Sequence, residues 1–307
     1  MITKKKILIV GGTGFIGYHL AKKSLKKGWQ VTSISSNRPK KIRYLPKVEY
    51  IRCNITNKKL LKRSIRKAFD YVVNLGGYVD HSNKRKTFKS HYGGCKNLSE
   101  IFLKKPPLSF VQIGSSLEYG ISSSPQKENI KCNLNTIKSI YGKAKLLSSR
   151  HMIELFKKKN FPSTVLRLYL VYGPRQDANR FLPITILGCI KNKQFPCSKG
   201  DQLRDFVYVD DAVEAIIKSL TNKNSRGQII NIGSGKPRRI KSVIEKVKKI
   251  SKGGYPQYGT FKLRKFEISK LYPNVEKARN KINWRSKILF EKGLKSTIQY
   301  YNKQITI

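Results

Sequence analysis

Residues Ile7-Leu8-Ile9-Val10-Gly11-Gly12-Thr13-Gly14-Phe15-Ile16-Gly17 decide the fold of this chain. Four apolar residues run into a glycine-rich turn, and the amphipathic stretch 18–28 follows. The order is strand, turn, helix. Gly11 permits the tight turn, Gly14 lets a pyrophosphate approach the backbone, and Gly17 lets the helix pack closely on its strand. The helix N-terminus presents free backbone N–H groups and stabilises negative charge. The spacing is G-x-x-G-x-x-G rather than the G-x-G-x-x-G of many dehydrogenases. Glycines also fill ordinary turns, but a strand in front and a helix behind make this a dinucleotide-binding turn, with Thr13, Phe15 and Ile16 completing it.

The rest of the chain extends that beginning. Strand-like runs cover 6–10, 30–35, 48–53, 71–75, 109–114 and 163–168. Helical patterns cover 16–27, 58–68, 88–103 and 139–158 between them. This alternation predicts an α/β fold, a doubly wound parallel sheet with helices on both faces. Beyond residue 168, prolines and glycines break the pattern into shorter pieces, with helices expected over 181–191, 209–220, 240–251, 274–281 and 290–304. We therefore expect a dinucleotide-binding domain over 1–168 and a smaller substrate-binding lobe over 169–307. Segments around 200–235 are expected to return to the first domain. The lobe would cover the carboxyl edge of the sheet, where open α/β sheets bind ligands.

Composition narrows the class. A chain of 307 residues supports one large α/β unit or two lobes. No stretch reaches the roughly 18 apolar residues of a membrane span, and with the first strand beginning so early no signal peptide is expected. The five cysteines, Cys53, Cys95, Cys132, Cys189 and Cys197, lack metal or disulfide spacing, which fits a reduced, cytoplasmic setting. The charge is extreme, with 65 Lys and Arg against 17 Asp and Glu, formally +48. Nucleic-acid binding is one reading. The lysines recur in small groups along the whole chain, without a basic tail or an RNA-binding signature, so solvated helix faces are the better reading. Such a surface would still attract a polyanionic small molecule.

Two further stretches carry chemistry. Tyr141-Gly142-Lys143-Ala144-Lys145 sets a phenol and an ammonium four residues apart on one helix face. A neighbouring cation favours phenolate and lowers a tyrosine pKa, which suits proton exchange with a carbonyl or alcohol oxygen. A chance Tyr/Lys pair on a solvated helix is the plain alternative in so lysine-rich a chain. Ser115 follows the strand over 109–114 at its carboxyl end, where its hydroxyl would bond a substrate oxygen or simply satisfy the loop backbone.

Together these pieces resemble the extended short-chain dehydrogenase/reductase family, the NAD(P)-dependent nucleotide-sugar epimerases, dehydratases and reductases. The resemblance runs through GGTGFIG at 11–17, Asn54-Ile55, Asn74-Leu75-Gly76-Gly77, SSLEYG at 115–120 and YGKAK at 141–145. It continues with Arg167, VYGPRQ at 171–176, GDQLRDFVYVDD at 200–211 and NIGSG at 231–235. It implies a Rossmann-type fold, Tyr141 as acid/base, Lys145 on the cofactor ribose and Ser115 on the reacting oxygen. It implies cofactor contacts at Asn54, Ile55, Leu75, Gly76 and Gly77. Arg204 matches the arginine that contacts a substrate diphosphate, with Arg175, Arg180 and Ser116 as further substrate contacts. It also implies a homodimer through the helices over 88–103 and 139–158, the latter bearing Leu146, Leu147, Met152, Ile153 and Phe156.

Departures from the family pattern sharpen the reaction. Family dehydratases carry an Asp-Glu pair where Ser116 and Leu117 stand, so dehydration is disfavoured. Reduction or epimerisation at the sugar C4 remains, and the S-S-x-E-Y-G form is closer to reductases of 4-keto-6-deoxy nucleotide sugars. Glu118 is an unusual charge at its position, read as a salt-bridge or helix-side partner. The usual Asp, Asn and Asn of the family are Asn54, His91 and Leu170 here. NAD enzymes hold the ribose with an acid at the end of the second strand. This chain has Ser35-Ser36-Asn37-Arg38 instead, and Arg38 with Lys40 would pair with a 2′-phosphate. NADP(H) is therefore favoured, with NAD(H) the alternative. The expected activity is NADPH-dependent reduction of a 4-keto nucleotide-diphosphate sugar. A 4-epimerase with tightly bound NAD, or a non-catalytic protein with a basic RNA- or partner-binding surface, are the rivals.

Overall fold

The computed structural model describes residues 4–263 and 266–305. Seven parallel strands form the central sheet. They are β1 (Lys6–Val10), β2 (Gln30–Ser35), β3 (Val48–Arg52), β4 (Tyr71–Asn74), β5 (Ser109–Ser115), β6 (Ser163–Leu168) and β10 (Ile229–Ile232), in the order β10-β6-β5-β4-β1-β2-β3. The helices of this half are α1 (Phe15–Lys26), α2 (Lys58–Ser64), α3 (Lys84–Phe88), α4 (Gly94–Leu103), α5 (Ile140–Lys159) and α7 (Val209–Thr221). The chain reverses its direction across the sheet between β1 and β4, the place where such sheets leave a crevice for a ligand.

The sequence explains the layering. In β1, Ile7 and Ile9 face one apolar core while Leu8 and Val10 face the other, and all four are fully buried. A strand buried on both faces belongs in a parallel sheet covered by helices. The helix expected over 58–68 ends at Ser64, where Ile65 leaves helical geometry. The helix expected over 88–103 is instead α3, a π turn over Lys89–Gly93, and α4. The extra residue of the π turn re-aims the side chains around His91, as such turns do at functional sites.

The remaining elements are β7 (Leu170–Tyr172), α6 (Phe181–Ile190), β8 (Gln194–Cys197), β9 (Leu203–Tyr208), β11 (Pro237–Arg239), α8 (Ile240–Ser251), β12 (Tyr255–Tyr258), β13 (Lys270–Leu271), α9 (Glu276–Ile282) and α10 (Phe290–Ile305). Strand β9 pairs with β7 and β13 in parallel and with β11 antiparallel, while β8 pairs with β12. Buried carboxylates pin this half. Asp205 takes the Ser234 N–H at 2.6 Å and its hydroxyl at 2.9 Å, which closes the NIGSG turn. Asp211 takes the Ser286 hydroxyl and the N–H groups of Lys287 and Ile288, fixing the approach to α10.

Candidate active site

The glycine turn has the expected shape. Gly11 adopts φ +81°, a conformation L side chains rarely take. A Cβ on Gly17 would fall against the Gly11 carbonyl and 2.6 Å from the Gly12 Cα, so only glycine allows α1 to start this close to β1. On Gly14 a Cβ would meet nothing nearer than the Gly11 carbonyl at 3.2 Å. Gly14 is also the N-cap of α1, and no side chain caps it. The first-turn N–H groups, including those of Phe15, Ile16 and Gly17, have no acceptor within the helix and carry its positive end. Thr13 lies beside this turn, its N–H 3.4 Å from the Ser35 hydroxyl.

Further along the same edge lies a cleft of about 430 Å³ lined by Thr13, Ser33, Asn37, Arg38, Pro39, Tyr44, Tyr50, Ile51 and Arg52. Arg38 is therefore on the cleft that continues from the glycine turn. Tyr44 and Tyr50 stack at 5.8 Å beside it, and Arg52 is a second cation on its wall. The sequence reading did not single out these three, because Tyr50 and Arg52 show only as alternating positions of β3 and Tyr44 lies in the irregular segment before it. The residues beyond β3 and β4 complete the edge. Asn54 is exposed, and its carboxamide accepts the Thr56 N–H at 3.0 Å. Ile55 is buried against Gly76 and Gly94. The Leu75 carbonyl packs on Gly11, and Gly76 donates its N–H to the Asn74 side chain. The constellation fits a dinucleotide: an uncapped helix start, a glycine with no side chain over it and a cationic cleft that shares Thr13 with the turn.

Ser115, Tyr141 and Lys145 come together at the carboxyl end of β5. Ser115 ends β5, and its side chain lies within hydrogen-bonding reach of Tyr141 on α5. Ser139 caps α5 through the Gly142 N–H, which fixes where Tyr141 emerges. Lys145 is one turn further on and buried, donating to the Ile113 carbonyl at 2.7 Å, with its ammonium 5.8 Å from the Tyr141 ring. Burial pulls the Lys145 ammonium down to about 8, against the pull of the Glu118 carboxylate.

The expected lowering of the Tyr141 pKa by Lys145 is corrected here. Burial pushes the phenol up to about 12; Ser115 and Arg180 lower it and Glu118 raises it. Desolvation of the phenolate outweighs the cation because Lys145 spends its contact on Ile113 rather than on the phenol oxygen. Tyr141 is thus a phenol at neutral pH, ready to donate.

Two histidines flank Tyr141. His81 stacks on its ring at 4.2 Å and 17°, and His91 meets it edge-on at 4.9 Å. Gly77 is required below, since a Cβ there would fall inside the His91 ring. Burial, with Lys145 adding to it, holds His91 at about 2, so it is neutral at all working pH. Its Nε2 lies 3.2 Å from the Tyr78 carbonyl. Sequence reasoning noticed His91 but not His81, which sits in a loop without periodicity.

The arginines are less gathered. Arg180 caps the start of α6 and acts electrostatically on Tyr141. Arg175 lies elsewhere. Its guanidinium rests between Tyr18 and Tyr300, at 4.9 and 5.6 Å from their rings, and bonds the Ile42 carbonyl. Arg204 is buried on β9 and engaged by the Glu267 carboxylate and the Leu203 and Ser269 carbonyls. Both arginines already have protein acceptors, because long side chains take the nearest acceptors the tertiary structure supplies. Ser116 is buried in the short turn after β5. On α5, Leu146 and Met152 pack into the interior rather than outward, while Leu147, Ile153 and Phe156 stay partly exposed.

A model of the NAD dependent epimerase/dehydratase family matches residues 7–233. The chain belongs to this family. Its members are NAD-dependent enzymes, and the seven-stranded parallel sheet is theirs. The chain is 26% identical over 326 residues to the UDP-N-acetyl-alpha-D-glucosaminuronate decarboxylase of Bacillus cytotoxicus, across 98% of each chain. It is 26% identical to the CDP-abequose synthase of Salmonella muenchen, across 96% of this chain and 97% of that one. The UDP-glucuronic acid 4-epimerase of Bacillus cereus, solved with UDP-glucuronic acid and NAD, superposes with a TM-score of 0.86 at 26% identity, across 98% and 99% of the two chains. Among the described residues, no helix is long and apolar enough to cross a membrane. No group of three His, Cys, Asp or Glu among them stands ready to hold a metal ion.

Proposed function

We propose that this family member reduces the 4-keto group of a 4-keto-6-deoxy nucleotide-diphosphate sugar with NADPH. The observation that carries the reading is the convergence of Ser115, Tyr141 and Lys145 at the carboxyl edge of the sheet that also bears the glycine turn, with Ser116 and Leu117 where a dehydratase needs its carboxylates. The bound cofactor would supply a hydride. Gly11, Gly14 and the start of α1 would hold its pyrophosphate, and Arg38, with Arg52 nearby, would pair with a ribose 2′-phosphate. Lys145 uses one of its three donors on Ile113 and keeps two for the nicotinamide ribose.

Ser115 and Tyr141 would bond the C4 carbonyl oxygen, and Tyr141 would give it a proton as the hydride reaches the carbon. A phenol held at about 12 is fully protonated for that step. Arg180, Ser116 and, once Glu267 yields, Arg204 would hold the nucleotide diphosphate. Arg175 is left out of this site because Tyr18, Tyr300 and Ile42 engage it. A second copy of the chain is the proposed partner, through the exposed sides of α4 and α5. Sedimentation that shows monomer alone at micromolar concentration would remove that part.

The test is direct. Purified protein should oxidise NADPH when given 4-keto-6-deoxy nucleotide sugars, and Arg38→Ala should raise the KM for NADPH about tenfold, the loss of one good ionic contact, while sparing NADH. No oxidation with any such sugar sinks the reading. The likeness to the Bacillus cereus 4-epimerase favours a second reading, a 4-epimerase that keeps NAD and returns the hydride to the other face. NAD that co-purifies one to one and resists dialysis would select it.

A further inference from the structure

Glu118 is a fully buried carboxylate directly behind the proton-transfer groups. One of its oxygens accepts the Ser115 N–H at 2.7 Å, and the Ser115 hydroxyl in return accepts the Leu117 N–H at 3.2 Å. Its other oxygen accepts Arg167 Nε at 2.8 Å. Arg167 stands on β6 opposite Gly114, and Gly114 is bare because a Cβ there would run into the carboxylate. The guanidinium lies 4.4 Å over the Tyr119 ring, and Tyr119 donates to Asn231 on β10 at 2.8 Å. Three adjacent strands thus lock one carboxylate in place.

Stability does not account for this arrangement. Buried ion pairs repay their desolvation poorly. Arg167 Nη1 is moreover buried without a hydrogen-bond partner among the described residues, which costs more. We propose that Glu118 is a positioning residue, which fixes Ser115 through its backbone N–H and sets a fixed negative charge behind the groups that deliver a proton to a carbonyl oxygen. The inference rests on the reductase reading for its direction and on the geometry for its existence.

The groups around the couple act in both directions. Glu118 acts on Tyr141, on Lys145 and on Cys132, favouring the protonated form of each. Ser115 and Arg180 work the other way on Tyr141, and His91 is neutral beside Lys145. Arg167 faces away, toward Tyr119 and Cys132. Removing the Glu118 charge should therefore release the Tyr141 proton at lower pH.

Two variants test this. Glu118→Gln keeps the shape, and Glu118→Leu with Arg167→Met replaces the pair by apolar side chains of similar volume, which preserves folding if Gln does not. Tyrosinate absorbance, taken as the difference between each protein and its Tyr141→Phe counterpart, reports Tyr141 alone. Relative to the unsubstituted protein, we expect its titration to move down by about one pH unit, tenfold in proton affinity. The alkaline limb of kcat for NADPH-dependent reduction should move with it, at unchanged KM. Titrations that superimpose in folded variants overturn the proposal. If the unsubstituted enzyme reduces no 4-keto sugar, the functional reading fails, and the tyrosinate titration still decides the role of Glu118.

Discussion

The two halves of the candidate site are built differently. The proton-transfer groups stand on regular elements: Ser115 ends a buried strand, and Tyr141 and Lys145 occupy successive turns of one capped helix. The arginines expected to bind anions, Arg175, Arg180 and Arg204, are long side chains on irregular backbone or, for Arg204, on β9, and two of the three are held by other partners. Backbone periodicity decides where the first set points. Tertiary neighbours decide the second, so spacing along the chain predicts one set well and the other poorly.

The comparison breaks most visibly at Tyr141. Tyr141→Phe removes the donated proton and leaves the ring between His81 and His91, so we expect kcat to fall by about 10²–10⁴-fold. Binding of NADPH, followed by fluorescence, should persist. A variant that keeps more than a tenth of wild-type kcat would deprive the phenol of its role.

Most of what the strands do was legible because β-strand burial has a period of two and is nearly continuous in a parallel sheet; β1, β2 and β6 fall where the apolar runs lie. Gly11 and Gly17 were legible for the same local reason, since turn and helix packing need no distant residue. Gly77 was placed correctly on the edge, but its cause, the His91 ring beneath it, depends on a π turn that no periodicity announces. His81 over Tyr141 and Glu267 on Arg204 are contacts across 60 residues or more, invisible to spacing. Glu118 is the intermediate case: its oddness showed in the sequence, and Arg167 supplied the partner only in three dimensions.

A second way to strain the comparison lies in the glycine turn. Gly17→Ala places a methyl group against the Gly11 carbonyl, an overpacked contact with backbone that has no rotamer to yield. We expect about 1–3 kcal/mol of lost stability in urea unfolding and weaker cofactor binding. Gly28→Ala is a useful contrast, since a Cβ there meets nothing and only its φ of +75° resists. Equal stability for Gly17→Ala and the unsubstituted chain would mean that α1 is not packed as described.

The arginines separate next. Arg180→Ala should raise the KM for the nucleotide sugar about tenfold, the loss of one charge-assisted contact, with stability little changed. Arg175→Ala should do the reverse. It empties the space between Tyr18 and Tyr300 and unties Ile42, so the melting temperature should drop while KM holds. If both variants alter KM alike, Arg175 reaches the substrate after all, and the division between the two halves of the site fails.

The smallest expected effect is the most discriminating. Arg204 is buried and desolvated, and Glu267, about a third exposed, answers its charge. A pair with so accessible a carboxylate is worth only about 0–1 kcal/mol. A diphosphate offers more charge and several acceptor oxygens to the same guanidinium fork, and should displace that carboxylate on binding. Glu267→Ala spares the substrate this displacement, so KM should fall two- to fivefold, about 0.4–1 kcal/mol. Arg204→Ala, in contrast, should raise it. A Glu267→Ala protein whose KM is unchanged or higher would mean that the pair is purely structural. Arg204 would then join Arg175 outside the substrate site, and the diphosphate would rest on Arg180 and Ser116.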